Sequence, residues 1–303
     1  GPATPVECPV FPRKPTMSHA EIAPTAHYTA YAWHRLGFPH AEYFATATGR
    51  RLFWSFRAAG EWLAVVHPTV PSMLQYLELR HRCIELALDE AAPDRIVEIG
   101  AGLSRRGLTW AADRGVDYIE VDLPHMVEAK REIIRTRVPE ALRARAGDRL
   151  KHEAVDVTAP GFEAWLERVL AGAQRPVVVT EGVLGYFELG DRERFARAVA
   201  RALGGRGSFV CDLRSREGGR SVAAAARLLR AGIWLVTRGR GAREDFPSRE
   251  AITRYFERAG FERSDPVSVE RAAAHLEGLR TPARVWQASG AVRPSPAPDR
   301  SAS

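Results

Sequence analysis

Glu98, Gly100 and Gly102 occupy alternate positions in the stretch Arg95–Arg106, R-I-V-E-I-G-A-G-L-S-R-R. These residue types suit the holding of a polar ligand against the backbone. Glycine adopts backbone angles closed to other residues and lets the main chain come close to a ligand. The same spacing also serves a plain strand-to-helix turn, because glycine punctuates many loops. Further on, Y-I-E-V-D-L-P (Tyr118–Pro124) brings Glu120 and Asp122. An acid at the end of a second strand suits the two ribose hydroxyls of an adenosine. In L-K-H-E-A-V-D-V-T, Asp156 precedes Val157. A carboxylate followed by a backbone N–H can read an adenine amino group and a ring nitrogen together, though a turn-starting aspartate fits as well. R-P-V-V-V-T-E-G-V-L-G-Y-F then sets Glu181 and Gly182 after an apolar run, with Gly185 and Tyr186 just beyond. Open α/β sheets bind ligands at the carboxyl ends of their strands, where Glu181 falls.

The elements that must position these groups alternate strand and helix. Ile96–Ile99, Tyr118–Asp122, Leu150–Asp156, Pro176–Thr180 and Gly207–Leu213 read as buried strands. Met126–Arg137, Phe162–Leu170 and Asp191–Leu203 read as the helices between them, the last stopped by Gly204 and Gly205. Ser72–Leu88 is amphipathic at helical period, with Ser72 as N-cap, and carries Arg80 and Arg82 near its end. Ser248 and Gly260 cap a further helix, and two strands near 261–269 and 283–288 close the sheet as a hairpin. The expected fold is α/β: a Rossmann-like sheet of seven strands, the last antiparallel, with an N-terminal helical lid. Residues 1–18 are proline-rich and expected to be disordered, 19–90 form the lid, 91–289 the core, and 290–303 a disordered tail. Residues 214–247 read as an insertion near the acceptor pocket. Trp54, Phe56 and Trp62 are expected to point inward from one or two helices over 40–67.

A dinucleotide fingerprint would need a third glycine, G-x-G-x-x-G; this chain has Arg105 there. The four motifs, V-E-I-G-A-G-L-S-R-R, E-V-D-L-P, V-D-V and T-E-G-V-L-G-Y-F, in this order resemble the leucine carboxyl methyltransferase family, which includes bacterial O-methyltransferases of the tetracenomycin type. The resemblance covers about residues 80–203. Where that family usually reads G-A-G-L-D-T-R, this chain carries Ser104 and Arg105. The resemblance implies a class I fold that binds S-adenosyl-L-methionine and leaves S-adenosyl-L-homocysteine. It implies cofactor contacts at Arg80, Glu98, Gly100, Gly102, Asp122, Leu123, Asp156, Val157, Glu181 and Gly182, with Arg80 reaching the cofactor carboxylate and Arg82 its rival. N-terminal helices close the site in that family. Ile22–Leu36, dense in aromatics, is therefore expected to roof the acceptor, with Tyr28, Tyr31, His34 and Tyr186 lining it and Tyr186 and His34 as candidate catalytic groups. Packing of the N-terminal helices together is the plainer use of these aromatics.

Composition bounds the rest. The 303 residues are 45% hydrophobic and carry +7 net charge, but all but three of the 44 basic residues are arginines spread along the chain. That reads as composition bias, so no nucleic-acid partner is expected. Three cysteines without C-x-x-C spacing argue against a disulfide framework or a zinc site. No apolar stretch spans a membrane and no signal core opens the chain, which suggests a cytoplasmic protein, monomer or homodimer. The expected function is O-methylation of a hydroxyl or carboxylate of a small molecule. Protein C-terminal carboxyl methylation and a non-catalytic adenosine-binding role are the alternatives, and RNA methylation is a more remote one.

Overall fold

A computed structural model describes residues 23–60, 71–216, 245–279, 281 and 283–290. Among them a seven-stranded sheet runs in the order β3-β2-β1-β4-β5-β7-β6. Its strands are β1 (Arg95–Ile99), β2 (Asp117–Asp122), β3 (Leu150–Ala154), β4 (Pro176–Thr180), β5 (Ser208–Arg214), β6 (Arg263–Pro266) and β7 (Ala283–Ser289). The first five pair in parallel, and β7 is antiparallel to both β5 and β6. The expected fold class and the closing hairpin are both present.

Successive strand residues face opposite sides of a sheet, and β4 is buried on both. Val178 joins the core formed with Trp165, Phe195, Phe209 and Phe256, while Val177 and Val179 join the opposite core with Ile84, Leu88, Leu108 and Trp110. Helices cover each face. They are α1 (Ala23–Arg35), α2 (Ala41–Phe44), α3 (Ala47–Gly60), α4 (Met73–Ala91), α5 (Arg106–Arg114), α6 (Pro124–Arg137), α7 (Glu140–Ala146), α8 (Phe162–Leu170), α9 (Leu189–Leu203), α10 (Arg249–Ala259) and α11 (Val269–Ala273).

The caps read from sequence are in place. Ser72 and Gln75 form a capping box at the start of α4, and Ser248 and Gly260 bound α10. Three expectations need correction. The third strand stops at Ala154, because the Asp156 carboxylate accepts from the N–H and hydroxyl of Thr158 and bends the chain out of the sheet. Trp54 does not point inward: it is 48% exposed, with the Arg35 and Arg57 guanidiniums over its ring, and Phe53 takes the buried position on α3. The helix after Asp122 starts at Pro124, whose fixed φ suits a first helical position. Residues 1–22, Trp62, 217–244 and 291–303 lie outside the described residues, and with them both terminal tails and most of the expected insertion.

Candidate functional site

The turn after β1 is fastened to the end of β2. The N–H groups of Gly100 and Ala101 donate to the Val121 carbonyl at 2.7 and 3.2 Å. The N–H of Gly102 donates to Asp122 Oδ2 at 2.6 Å, and Asp122 Oδ1 accepts from the Leu123 N–H at 2.7 Å. Gly100 and Gly102 have φ of 69° and 52°, a region that L side chains avoid. A Cβ at Gly100 would strike Val183, and one at Gly102 would sit 3.3 Å from Ala26 of α1. Burial raises the Asp122 carboxyl, while the N–H groups of Gly102 and Leu123 pull it back. Each of its oxygens keeps acceptor capacity beyond the bond it already takes.

Across the cleft, α4 delivers Arg80. Its Nε donates to Glu181 Oε1 at 3.0 Å, and Nη1 lies 3.5 Å from Asp212 Oδ2. Gly182, at φ 72°, leaves room for that guanidinium, and its N–H donates to Asp212 Oδ1 at 2.6 Å. Arg82 points elsewhere: it pairs with Glu78 at 2.8 Å and lies over the Phe38 ring. Of the two arginines, Arg80 is thus the one directed at the strand ends.

The Glu181 side chain is buried among basic partners. Besides Arg80 it accepts from Arg106 Nη2 at 2.6 Å and faces His81 Nδ1 at 3.2 Å. Burial alone would raise its carboxyl, but His81, Arg106 and Arg80 hold it well below the usual range. Arg106 has no exposed side-chain surface and also binds Glu85 at 2.9 Å and Glu98. Glu98 takes the Tyr118 hydroxyl on its other oxygen at 2.8 Å. Both carboxylates therefore hold Arg106 in place, and Glu181 holds Arg80 as well. His81 sits fully buried between Arg105 and Arg106; burial and the Arg106 charge lower its pKa to about 4, so the ring is neutral. Its Nε2 accepts from Arg105 at 3.0 Å, and its Nδ1 lies 2.9 Å from Arg106 Nη2 and 3.2 Å from Glu181 Oε2. Arg105, one of the two residues that depart from the family's usual loop, lies 3.3 Å from Glu85 as well.

Helix α1 lies over the turn. Ala26 meets Gly102, and the Thr25 side chain hydrogen-bonds Tyr186, whose hydroxyl is raised by burial. Two of the three α1 side chains expected to line the acceptor contact α3. Tyr28 packs on Phe53 and Phe56, and Tyr31 on Phe53. His34 is exposed, with its ring against Tyr31. The face carrying Ala30 and Trp33 is buried against the core. Asp156 and Val157 sit at the β3 end, partly buried. The network of His81, Glu85 and Arg106, and Asp212 beside Gly182, escaped the sequence reading. One signal was available: His81 and Glu85 lie one turn apart on α4 amid its apolar positions, on a face that buries Leu77, Ile84 and Leu88.

A family model described as leucine carboxyl methyltransferase matches residues 36–200, more than half of the chain. The chain belongs to the leucine carboxyl methyltransferase family. Membership makes it a methyltransferase of the S-adenosylmethionine-dependent class, and its α1 precedes the matched region. Among solved structures, the mitomycin 7-O-methyltransferase MmcR is 17% identical, with 91% of this chain and 76% of that chain covered and a TM-score of 0.48. Human N-acetylserotonin methyltransferase with SAM is 12% identical, with 90% and 68% covered and a TM-score of 0.48. A candidate O-methyltransferase from Nostoc punctiforme is 17% identical over 69% of this chain, which spans 55% of that protein's length, at a TM-score of 0.47. No curated protein matches the chain. Among the described residues no helix is long and apolar enough to cross a membrane, and no group of three or more His, Cys, Asp or Glu side chains is arranged to hold a metal ion.

Proposed function

We propose that this family member is an O-methyltransferase that moves a methyl group to a hydroxyl or carboxylate oxygen of a small molecule. The observation that carries the reading is the glycine turn locked to Asp122 at the end of β2, with Arg80 across from it and α1 above. These residues fit the cofactor part by part. Asp122, with acceptor capacity left on each oxygen, suits paired ribose hydroxyls. Asp156 and the Val157 N–H suit an adenine edge. Arg80 suits a carboxylate, which a planar guanidinium can bind through two parallel bonds. Glycine is required at positions 100 and 102 by their positive φ and by the close packing of Val183 and Ala26, and we assign the backbone of this turn, with Leu123 and Gly182, to the cofactor. Residues 19–90 serve as the lid on a core of 91–289.

When bound, S-adenosylmethionine supplies a methyl group already activated on a sulfonium. The chain's own part is then alignment and exclusion of water. Tyr186 is the polar group on the acceptor side. Its raised hydroxyl stays protonated at neutral pH, so it orients the acceptor by hydrogen bonding instead of removing a proton. An acid acceptor needs no base, and a phenol can release its proton to water.

Calorimetry with S-adenosylhomocysteine tests the reading. Binding is expected, and Asp122→Ala should weaken it about ten- to a hundred-fold, the worth of a charge-assisted hydrogen bond. Absence of heat with folded protein would sink the proposal. Glu181 is unsuited to this test, because its loss leaves the buried Arg106 charge short of a partner and endangers the fold.

A further inference from the structure

Arg214 ends β5 on the side of the sheet that faces α4. It lies two residues after Asp212, so the two side chains share a face. Asp212 is held by the Gly182 N–H and approached by Arg80, and Tyr76, one turn before Arg80 on α4, feels the charges of Arg80, Asp212 and Arg214 together. Arg214 thus lies on the same face of the sheet as Asp212, within electrostatic reach of Tyr76.

Its guanidinium is buried without being satisfied. The side chain is 12% exposed, Nε lies 3.2 Å from Asp245 Oδ1 without the alignment of a hydrogen bond, and Nη2 has no hydrogen-bond partner. Asp245 is itself engaged elsewhere. Of the arginines with unpaired buried nitrogens among the described residues, Arg105 and Arg143 each leave one and Arg214 leaves two. Buried guanidinium nitrogens left without a hydrogen bond are costly even where the charge has an ion-pair partner, and such a group calls for an explanation. The backbone at this point is fixed: the Phe246 N–H donates to the Arg214 carbonyl at 2.8 Å, and the Arg216 N–H to the Phe246 carbonyl at 2.9 Å. Relaxation of the strand end is therefore not what relieves it.

We infer that Arg214 anchors a carboxylate of the methyl acceptor, separate from the oxygen that is methylated. A carboxylate paired with a guanidinium shares its lone pairs with N–H donors and becomes a poorer nucleophile, so the anchored group and the reacting oxygen are different parts of the molecule. The acceptor is then a hydroxy acid: a hydroxyl presented near Tyr186, a carboxylate held at Arg214. A monoanion is favoured over a phosphate, because Asp245 lies 3.2 Å from the guanidinium and repels additional negative charge.

The inference rests on the methyltransferase reading, and one experiment separates the two. The full chain, saturated with S-adenosylhomocysteine, is titrated calorimetrically with 4-hydroxybenzoate and with its neutral analogue 4-hydroxybenzamide. The benzoate is expected to bind at least about tenfold tighter, as for a charge-assisted pair. Arg214→Gln should abolish that preference while leaving the affinity for S-adenosylhomocysteine within about twofold, and Arg214→Lys, which keeps the charge without the planar fork, should retain part of it. Equal binding of the two probes by the parent protein, no binding of the benzoate, or a preference that survives in Arg214→Gln each overturns the anchor. Should Arg214→Gln fail to fold, the parent and Arg214→Lys titrations still decide. Loss of S-adenosylhomocysteine binding in the parent would overturn the underlying reading instead.

Discussion

At the scale of single residues, the two arginines of α4 divide their work by direction. Arg80 turns to Glu181 and Asp212 at the strand ends, whereas Arg82 closes an i,i+4 pair with Glu78 and is 37% exposed. Arg80→Ala should lower the affinity for S-adenosylhomocysteine about ten- to a hundred-fold, and Arg82→Ala should leave it within about twofold, because exposed pairs contribute little. Calorimetry on the two variants ranks them, and the reverse order would move the carboxylate contact to Arg82. Adjacent positions on a helix point about 100° apart, so which of two near neighbours meets a distant strand end depends on helix phase and tertiary packing. That is why the sequence left a rival at this position. The same limit hid Arg106, whose partners Glu85, Glu98 and Glu181 come from one helix, one strand and the turn after β4.

At the scale of elements, α1 carries two surfaces with different duties. One sets Thr25 and Ala26 against Tyr186 and the glycine turn; the other lays Tyr28 and Tyr31 on α3. Ala26→Leu should push the helix off Gly102 and weaken S-adenosylhomocysteine binding. Tyr31→Ala should lower the melting temperature through lost aromatic packing, at unchanged ligand affinity. A thermal melt and a titration on each variant separate the two surfaces, and the opposite pattern would return Tyr31 to the acceptor wall. Most elements were legible in the sequence because their signals are local. The Ser72 N-cap, the Ser248 and Gly260 caps, and the apolar run of β4 each specify their element within a few residues. The face a helix presents is not local information. Trp54 and Phe53 are neighbours of like hydrophobicity, and only contact with α1 makes Phe53 the inward one.

At the scale of the whole molecule, some of the arginines are used inside the fold. Arg105, Arg106 and Arg192 are buried and Arg80 nearly so, which gives the excess of arginine an internal use. The buried network also sets a pH dependence. His81, with a folded pKa of about 4 against 6.5 unfolded, leaves stability fully in place above pH 6.5 and erodes it as the pH falls towards 4, because the unfolded chain takes the proton first. Glu181 and Glu85 are held low, so their contributions are complete above the ordinary carboxylate range and fade as the pH drops below it. Both effects have the same sign. The melting temperature should fall between pH 7.5 and 5, and His81→Gln should flatten that slope; a slope that steepens on acidification in the variant would remove His81 as its source. The strand order has a consequence in time. β7 lies between β5 and β6, so the strand synthesised last among the seven is an interior one. Until it emerges from the ribosome, β5 stands as a bare rim, its Cys211 and Leu213 row lacking the cover of Trp286, and β6 has no neighbour at all. An open rim of this kind recruits other chains. The interval between completion of β5 and arrival of β7 is when this protein is most in need of a chaperone.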